Sequence, residues 1–352
     1  MKAKLIKEYE DILNELEQIK QDKEWHAEGN VKIHTLMVLE ALFSDNEFNN
    51  LPEEEKELLA IATIFHDLGK IYTTKEENGR IISPNHSKVG ANEFRKRYFD
   101  SFEFEKREAI ANLIRNHGYP IHYYKKEEHD IVRLAEVLNT KYLYLLAKAD
   151  VNGRISEGKE EYLLNIEYFK EQAEKFVCYG TKKEFSSTLE REFFFKKGYI
   201  YKPFEKLVSH VILLSGLPGV GKDHYIKEID LPVISLDQIR KEMKVKHGDK
   251  KGTGHVLQKA KEEIKKLLAK KEDFVFNATN LNKNNREKWI SLFKEYEAIV
   301  TIVYIEKPLK TILKQNKERE DSIPEGNILK YLKNLEVPTP DEANFIKYEI
   351  SK

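Results

Sequence analysis

Cysteine is nearly missing from this chain of 352 residues, where Cys178 stands alone. A single cysteine excludes a disulfide framework and any thiolate metal cluster, and it fits a reducing cytosol. An excess of one charge is missing too, because 60 Lys and Arg balance 60 Asp and Glu. Net charge therefore exerts no pull on nucleic acid, and such a partner would have to be gripped by local patches. No apolar run is long enough to span a bilayer. The opening MKAKLIKEYEDILNELEQIK reads as a charged amphipathic helix without the apolar stretch of a leader. A soluble, cytoplasmic protein with no membrane attachment is expected. Internal repeats and low-complexity tracts are also absent.

What remains is ample material for packed cores. Hydrophobic residues make up 40% of the chain, with 18 Tyr and 18 Phe, which argues against disorder. The length favours two cores over one. Residues 1 to about 180 carry apolar positions at helix period, as in HTLMVLEALF (34–43), EKELLAIATIFHDLG (55–69) and RLAEVLNTKYLYLLAKAD (133–150). From Leu207 onward short apolar runs (HVILLSG, LPVISLD, EAIVTIVYIEKP) alternate with helical stretches, the pattern of a parallel α/β sheet. The expected organisation is an all-α domain over 1–190, a connector over 191–206, and an α/β domain with a parallel sheet over 207–352.

In the first domain the informative residues are His34, His66, Asp67, His86, His117 and Asp150, each at or near a predicted helix end. Taken singly, His34 or His117 is a commonplace helix-end histidine. The pair His66-Asp67 is less ordinary, because it closes the apolar helix AIATIF. Unpaired buried polar groups cost several kcal/mol, and a divalent cation is the usual compensation. Imidazole with carboxylate suits Mn, Fe, Ni, Co or Zn, and six such groups can hold two ions.

The order H…HD…H…H…D and the string HDLGK resemble the HD superfamily of metal-dependent phosphohydrolases over roughly residues 25–155. The resemblance implies His34, His66, Asp67 and Asp150 as the core metal site, with His86 and His117 completing a second. It also implies Lys70 as the phosphate-facing lysine. WHAEGNVKIH resembles a subgroup of the superfamily and places His26 and Glu28 at the pocket rim, although a plain N-cap turn explains them equally well. Arg115 and Arg154 are candidates for holding substrate phosphate.

In the second domain LLSGLPGVGKD (213–223) follows a predicted strand and precedes a predicted helix. Gly216, Gly219 and Gly221 let the backbone turn its amides toward a phosphate chain, and Lys222 reaches the β- and γ-phosphates. Asp223 stands where Ser or Thr normally holds Mg²⁺. It either takes over that ligation or caps the following helix. Asp237 in LPVISLDQIR is likewise open to two roles on spacing alone, a base at the mouth of the site or an N-cap. VISLDQIR resembles the Asp-x-x-Arg element of polynucleotide kinases, which implies Asp237 as general base and Arg240 as an acceptor-phosphate contact. DFVFNATNLNKNNREKW (273–289) resembles the third-strand element of the same family and puts Asn280 and Arg286 near acceptor or nucleotide. The segment 313–343 resembles its lid, with Arg319 supplying charge to the transferred phosphoryl group as an arginine finger does. The lysine-rich VKHGDKKGTGH (245–255) reads as a solvated turn.

Together the two halves resemble the fused HD/polynucleotide-kinase RNA end-healing enzymes. The implied activities are removal of 2′,3′-cyclic phosphate or 2′- or 3′-phosphate by the first domain, and NTP-dependent phosphorylation of 5′-OH ends by the second. The implied cofactors are a transition-metal pair in the first domain, and Mg²⁺ with ATP or another NTP in the second. RNA ends, or DNA ends, are the expected partners, with an RNA ligase acting downstream. Oligomeric state is left open, a homodimer being one option. A nucleotide-salvage phosphohydrolase fused to a nucleoside or sugar kinase is the alternative, and a nucleotide-gated switch is a third class. Four histidines among six ligands set the metal preference: the phosphoesterase is expected to need a transition metal while the kinase runs on Mg²⁺. Full phosphoesterase activity of metal-stripped protein on Mg²⁺ alone would defeat the histidine assignment.

Overall fold

The computed structural model describes residues 1–199, 208–246, 249–318 and 322–351. They fall into two compact units, Met1–Glu184 and Phe185–Lys352.

The first unit is helical: α1 (Lys2–Glu8), α2 (Glu10–Glu17), α3 (Val31–Phe43), α4 (Asn46–Asn49), α5 (Glu53–Phe65), α6 (Lys70–Thr73), α7 (His86–Arg97), α8 (Phe104–Asn116), a 3₁₀ turn (Pro120–Lys125), α9 (Asp130–Val137), α10 (Thr140–Asn152) and α11 (Lys159–Lys175). Local chemistry sets the starts. Asn30 accepts from Ile33 N at 3.0 Å to cap α3, and Asn139 accepts from the first-turn amides of α10. Glu53, Glu54 and Glu55 complement the positive end of α5. Beyond that first turn, Leu59 through Phe65 are all buried, so α5 runs through the centre of the unit. The unit is not purely helical as expected from the sequence. A hairpin of β1 (Lys75–Glu77) and β2 (Arg80–Ile82) interrupts it, turning on Asn78 and Gly79, both with positive φ.

The second unit opens on α12 (Thr188–Lys197), capped by Ser187, which accepts from Glu190 N at 3.1 Å. Part of the expected connector is therefore a helix. Arg191 anchors it by donating to the carbonyls of Ala343 and Asn344. Residues 200–206 of that connector lie outside the described residues. The remaining elements are β3 (His210–Ser215), α13 (Lys222–Ile226), β4 (Val233–Ser235), α14 (Leu236–Glu242), α15 (Lys250–Lys270), β5 (Phe274–Asn277), α16 (Lys283–Glu295), β6 (Ile299–Glu306), α17 (Leu309–Lys317), α18 (Glu325–Lys333) and β7 (Phe345–Ile350). The strands form one parallel sheet in the order β4-β5-β3-β6-β7. Val256, Ala260, Ile264 and Leu268, spaced four apart along α15, bury one stripe in the same core as Trp289 and Phe293 of α16. The expected solvated turn at 245–255 is corrected over its second half. Asp249 accepts from Gly252 N at 2.9 Å, and the chain is helical from Lys250.

Arg286 is a second correction. It is fully buried rather than facing an acceptor, and its donors are engaged by the fold. Nε and Nη2 bond the two oxygens of Glu342 at 2.7 and 2.8 Å, while Nη1 bonds Asn280 O at 2.9 Å and Glu336 O at 2.8 Å. The guanidinium ties the turn after β5 to the chain ahead of β7. Arg286→Met should destabilise this unit by about 3–5 kcal/mol, because it strands a buried carboxylate. Replacing Glu342 with Leu in the same variant should recover part of the loss. A loss under about 1 kcal/mol in denaturant titration would remove the brace role.

Candidate metal centre and phosphate loop

Five helix ends meet at one point in the first unit. His34 lies in the first turn of α3, His66 caps the C-terminus of α5, His86 opens α7, His117 caps the C-terminus of α8, and Asp150 sits in the last turn of α10. Three imidazoles are aimed the same way. Nδ1 of His66, His86 and His117 lies 2.7–2.9 Å from the carbonyls of Thr63, Ser83 and Ile114, three residues back in each case. This fixes Nδ1 as the protonated nitrogen and leaves Nε2 free to bind a cation.

Those Nε2 atoms converge in two sets, His34–His66–Asp150 and Asp67–His86–His117, each with ligand atoms within 4.8 Å of one another. The six residues singled out in the sequence are thus brought together. His34 Nε2 lies 3.4 Å from His66 Nε2 and 3.1 Å from Asp150 Oδ1, and His86 Nε2 lies 3.3 Å from His117 Nε2. Asp67 joins the sets. Its Oδ2 is 3.3 Å from His66 Nε2, and its Oδ1 is 3.5 Å from His86 Nε2.

Electrostatics fit a cation site. Burial alone would raise the carboxyls of Asp67 and Asp150, yet Lys70 and His66 beside the first, and Arg154 and His34 beside the second, hold both well below the usual range. Burial disfavours charge on His66, but Asp67 outweighs it and raises that imidazole's pKa. Burial, reinforced by His86 and His66, pushes His117 down to about 3. The carboxylates thus stay ionised and His117 stays neutral, the form in which each binds a metal. This donor set fits two divalent ions of the borderline class.

The cluster floors a cleft of about 480 Å³, whose lining includes Lys70, Arg154 and His26. Lys70 donates to Asp67 Oδ2 at 2.8 Å and to Gln21 Oε1 at 2.7 Å, and Arg154 grips Asp150. Arg115, half-buried on α8, is not in the cleft lining, so the structure does not bring it to the site. Glu28 is also not a rim residue. Its side chain is buried, with Oε1 2.9 Å from Nδ1 of both His26 and His34 and Oε2 accepting from Ile155 N. The His34 contact is out of line for a straight hydrogen bond. No local motif marks Gln21 or the burial of Glu28, since both roles depend on distant partners.

Gly69 sets the spacing of the two ligand sets. A Cβ there would lie 1.8 Å from His86 O and 2.6 Å from Gly90 N, so the HD turn passes directly beneath the start of α7.

In the second unit the phosphate loop follows β3, whose neighbours β5 and β6 lie on opposite sides. Gly216, Gly219 and Gly221 all have φ between 82° and 152°, open only to glycine at little strain. Lys222 Nζ folds over the loop and donates to Gly216 O at 2.9 Å and Leu217 O at 3.0 Å. Asn280, at φ 46°, is buried behind it rather than facing an acceptor. Its Nδ2 donates to Leu214 O at 2.8 Å, and its carbonyl accepts from Ser215 Oγ at 3.0 Å. Asp223 caps nothing. Its Oδ1 accepts from Asn277 Nδ2 at 3.0 Å, a partner at the end of β5. Ser235, not Asp237, caps α14 by accepting from Gln238 N at 3.3 Å, so the carboxylate of Asp237 stays exposed at the same sheet edge. Arg240 donates to Thr253 Oγ1 at 3.1 Å. Arg319 lies outside the described residues.

Comparison with known proteins agrees with this division. Residues 31–151 match the HD domain and residues 211–338 match the AAA domain. A curated relative, the L-seryl-tRNA(Sec) kinase of Methanococcus maripaludis, is 27% identical over 138 residues, which is 36% of this chain and 53% of that protein. This chain thus spans about half the length of that relative. Among solved structures, a chain of the Pnkp1/Rnl/Hen1 RNA repair complex is 19% identical, with a TM-score of 0.35 over 38% of this chain and 46% of that one. A putative kinase from Chloroflexus aurantiacus is 10% identical, with a TM-score of 0.36 over 41% of this chain and 85% of that one. The chain joins an HD domain to an AAA domain that carries a phosphate loop.

If Gly69 sets the distance between the ligand sets, Gly69→Ala should displace His86 and His117 while sparing His34, His66 and Asp150. Metal analysis after dialysis should then fall from two ions to one, or the weaker site should lose about 10–100-fold in affinity. Unchanged stoichiometry and affinity would show that the close approach is not needed for binding.

Proposed function

We propose that this protein heals broken RNA ends, the first unit clearing the 2′,3′-cyclic phosphate and the second phosphorylating the 5′-OH. The observation that carries the reading is the pairing in one chain of a buried His/Asp cluster, in which Asp67 lies beside both His66 and His86, with a P-loop whose neighbouring carboxylate, Asp237, has no capping duty. Cleaved RNA presents both lesions together, and a ligase needs both removed. The curated relative supports an RNA-borne acceptor, since its name places its phosphorylation on a tRNA-linked group.

In the first unit, His34, His66 and Asp150 would hold one divalent ion and Asp67, His86 and His117 the other. Such ions supply an activated water and neutralise phosphate charge. Lys70 and Arg154, already fixed against the ligand carboxylates, hold the phosphate oxygens in line. In the second unit the loop amides cradle the NTP, with Lys222 leaving its loop carbonyls for the β- and γ-phosphates. Asp237 takes the proton of the attacking 5′-hydroxyl, Arg240 steadies the acceptor phosphate, and Arg319 stabilises the transferred group. Asp223 would provide the Mg²⁺ ligand usually given by Ser or Thr, and Asn277, which donates to its Oδ1, orients it.

One substrate tests both halves: an RNA oligonucleotide with a 2′,3′-cyclic phosphate and a 5′-OH, supplied with labelled ATP. Asp67→Ala should abolish the phosphoesterase and leave 5′-phosphorylation near wild type. Asp237→Asn should cut kinase turnover by ~10²–10⁴ and spare the other end. Loss of both activities in folded Asp67→Ala protein would overturn the two-site scheme. Phosphorylation of free nucleosides but not of oligonucleotides would replace the polynucleotide reading with a salvage one.

A further inference from the structure

We infer that Trp25 and Tyr162 seat the nucleobase of the terminal nucleotide whose phosphate enters the metal cleft, and that the adjoining groove carries the preceding strand. The inference rests on the reading that the first unit acts on RNA ends, and it adds a part of the substrate that no metal ligand touches.

Trp25 and Tyr162 line the same 480 Å³ cleft as Asp67, His86, His117 and Asp150. Trp25 is 40% exposed, whereas the chain's other tryptophan, Trp289, is buried in the second unit against Phe276. The Trp25 and Tyr162 rings are 6.3 Å apart and tilted at 49°, so the pair has not closed into a stack of its own. Aromatic faces at the mouth of a phosphate site offer stacking that every base accepts.

A second groove of about 770 Å³ continues from the first, sharing Gln21, Asp22, His26 and Ile81. It adds Lys20, Lys23 and Arg80, three cations against the single carboxylate of Asp22. Arg80 also pairs with exposed Glu24, a surface contact that a phosphate displaces at little cost. A mononucleotide would fill the first cleft and leave this basic extension without a partner. A strand fills both, with its phosphates along the cations. The β1–β2 hairpin supplies Gly79, Arg80 and Ile81 to this wall, which gives that short insertion a role.

The test uses the full chain loaded with its metal. The Trp289→Phe variant leaves Trp25 as the sole indole reporter. The probe is an eight-nucleotide RNA ending in a 3′-methylenephosphonate, which has no ester bond to cleave, compared with the same strand carrying an abasic last nucleotide. The base-bearing strand should quench Trp25 and bind at least about tenfold more tightly than the abasic one. Anisotropy with labelled strand covers the case where Trp289→Phe fails to fold: in the otherwise native chain, Trp25→Ala should lose about tenfold and Trp25→Phe should recover most of it. Replacing Lys20 and Lys23 by Ala should weaken the eight-nucleotide strand and not a 3′-phosphonate mononucleoside. Equal binding by base-bearing and abasic strands, or no effect of Trp25→Ala, overturns the seat. If the native enzyme meanwhile clears 2′,3′-cyclic ends, only the seat has failed. If it clears no RNA end at all, the reading beneath it has failed as well.

Discussion

Asp67 has one carboxylate and two ligand sets to serve, with Oδ2 turned to His66 and Oδ1 to His86. That double duty constrains the whole first unit. Helices α3, α5, α7, α8 and α10 come from separate parts of the chain, yet each must end or turn within a few ångströms of one buried carboxyl. The close approaches follow from it. Gly69 lets the HD turn slide under His86, and Gly153, where a Cβ would lie 2.6 Å from Val38 N, lets the end of α10 press on α3. Four imidazoles and two carboxylates gathered in this way are unfavourable without a counter-charge. Lys70 and Arg154 supply one cation for each carboxylate, Lys70 on Asp67 and Arg154 on Asp150, and Asp67 raises the pKa of His66.

The second unit solves a related problem at a sheet edge. Parallel strands bring the ends of β3, β4 and β5 to the same side, and the phosphate loop, Asp237 and Asn277 follow from that geometry alone. The loop backbone is held from behind rather than from the site. Asn280 secures Leu214 and Ser215, and Arg286 secures Asn280. Rigidity of the loop is thus delegated to residues that never need to meet a nucleotide. Asp223 and Asn277 divide acid and amide between loop and strand, so the departure at position 223 comes with a matching partner 54 residues away.

This separation explains what could be read in the sequence. The six residues of the His/Asp cluster were legible through the order of their motif, and the glycines of the loop through local chemistry, a glycine at positive φ. Roles fixed by a distant partner were not. Arg286 sits in a motif that points toward the acceptor, but Glu342, which claims its guanidinium, lies far along the chain. Glu28 resembles a turn residue until His34 folds back over it. The hairpin was legible in principle, since Asn78-Gly79 is a strong turn signal. Strands of three residues in a helical context are too short to show alternation. The capping alternative for Asp237 was removed by an unexpected neighbour, because Ser235 does the capping.

The donor chemistry of the two units bears on how both can work in one chain. The first site is rich in nitrogen, buried and enclosed by helix ends, which favours borderline ions over Mg²⁺. At the P-loop Asp223 offers oxygen and lies exposed just past the end of the central strand β3, which suits a hydrated Mg²⁺ arriving with its nucleotide. A histidine-rich set disfavours Mg²⁺, which takes oxygen ligands and keeps its waters. On the proposed reading, therefore, the two healing steps need no shared metal and no fixed order, and the flux through each depends on its own cation. An RNA end can be cleared at one terminus and phosphorylated at the other without either reaction starving its partner.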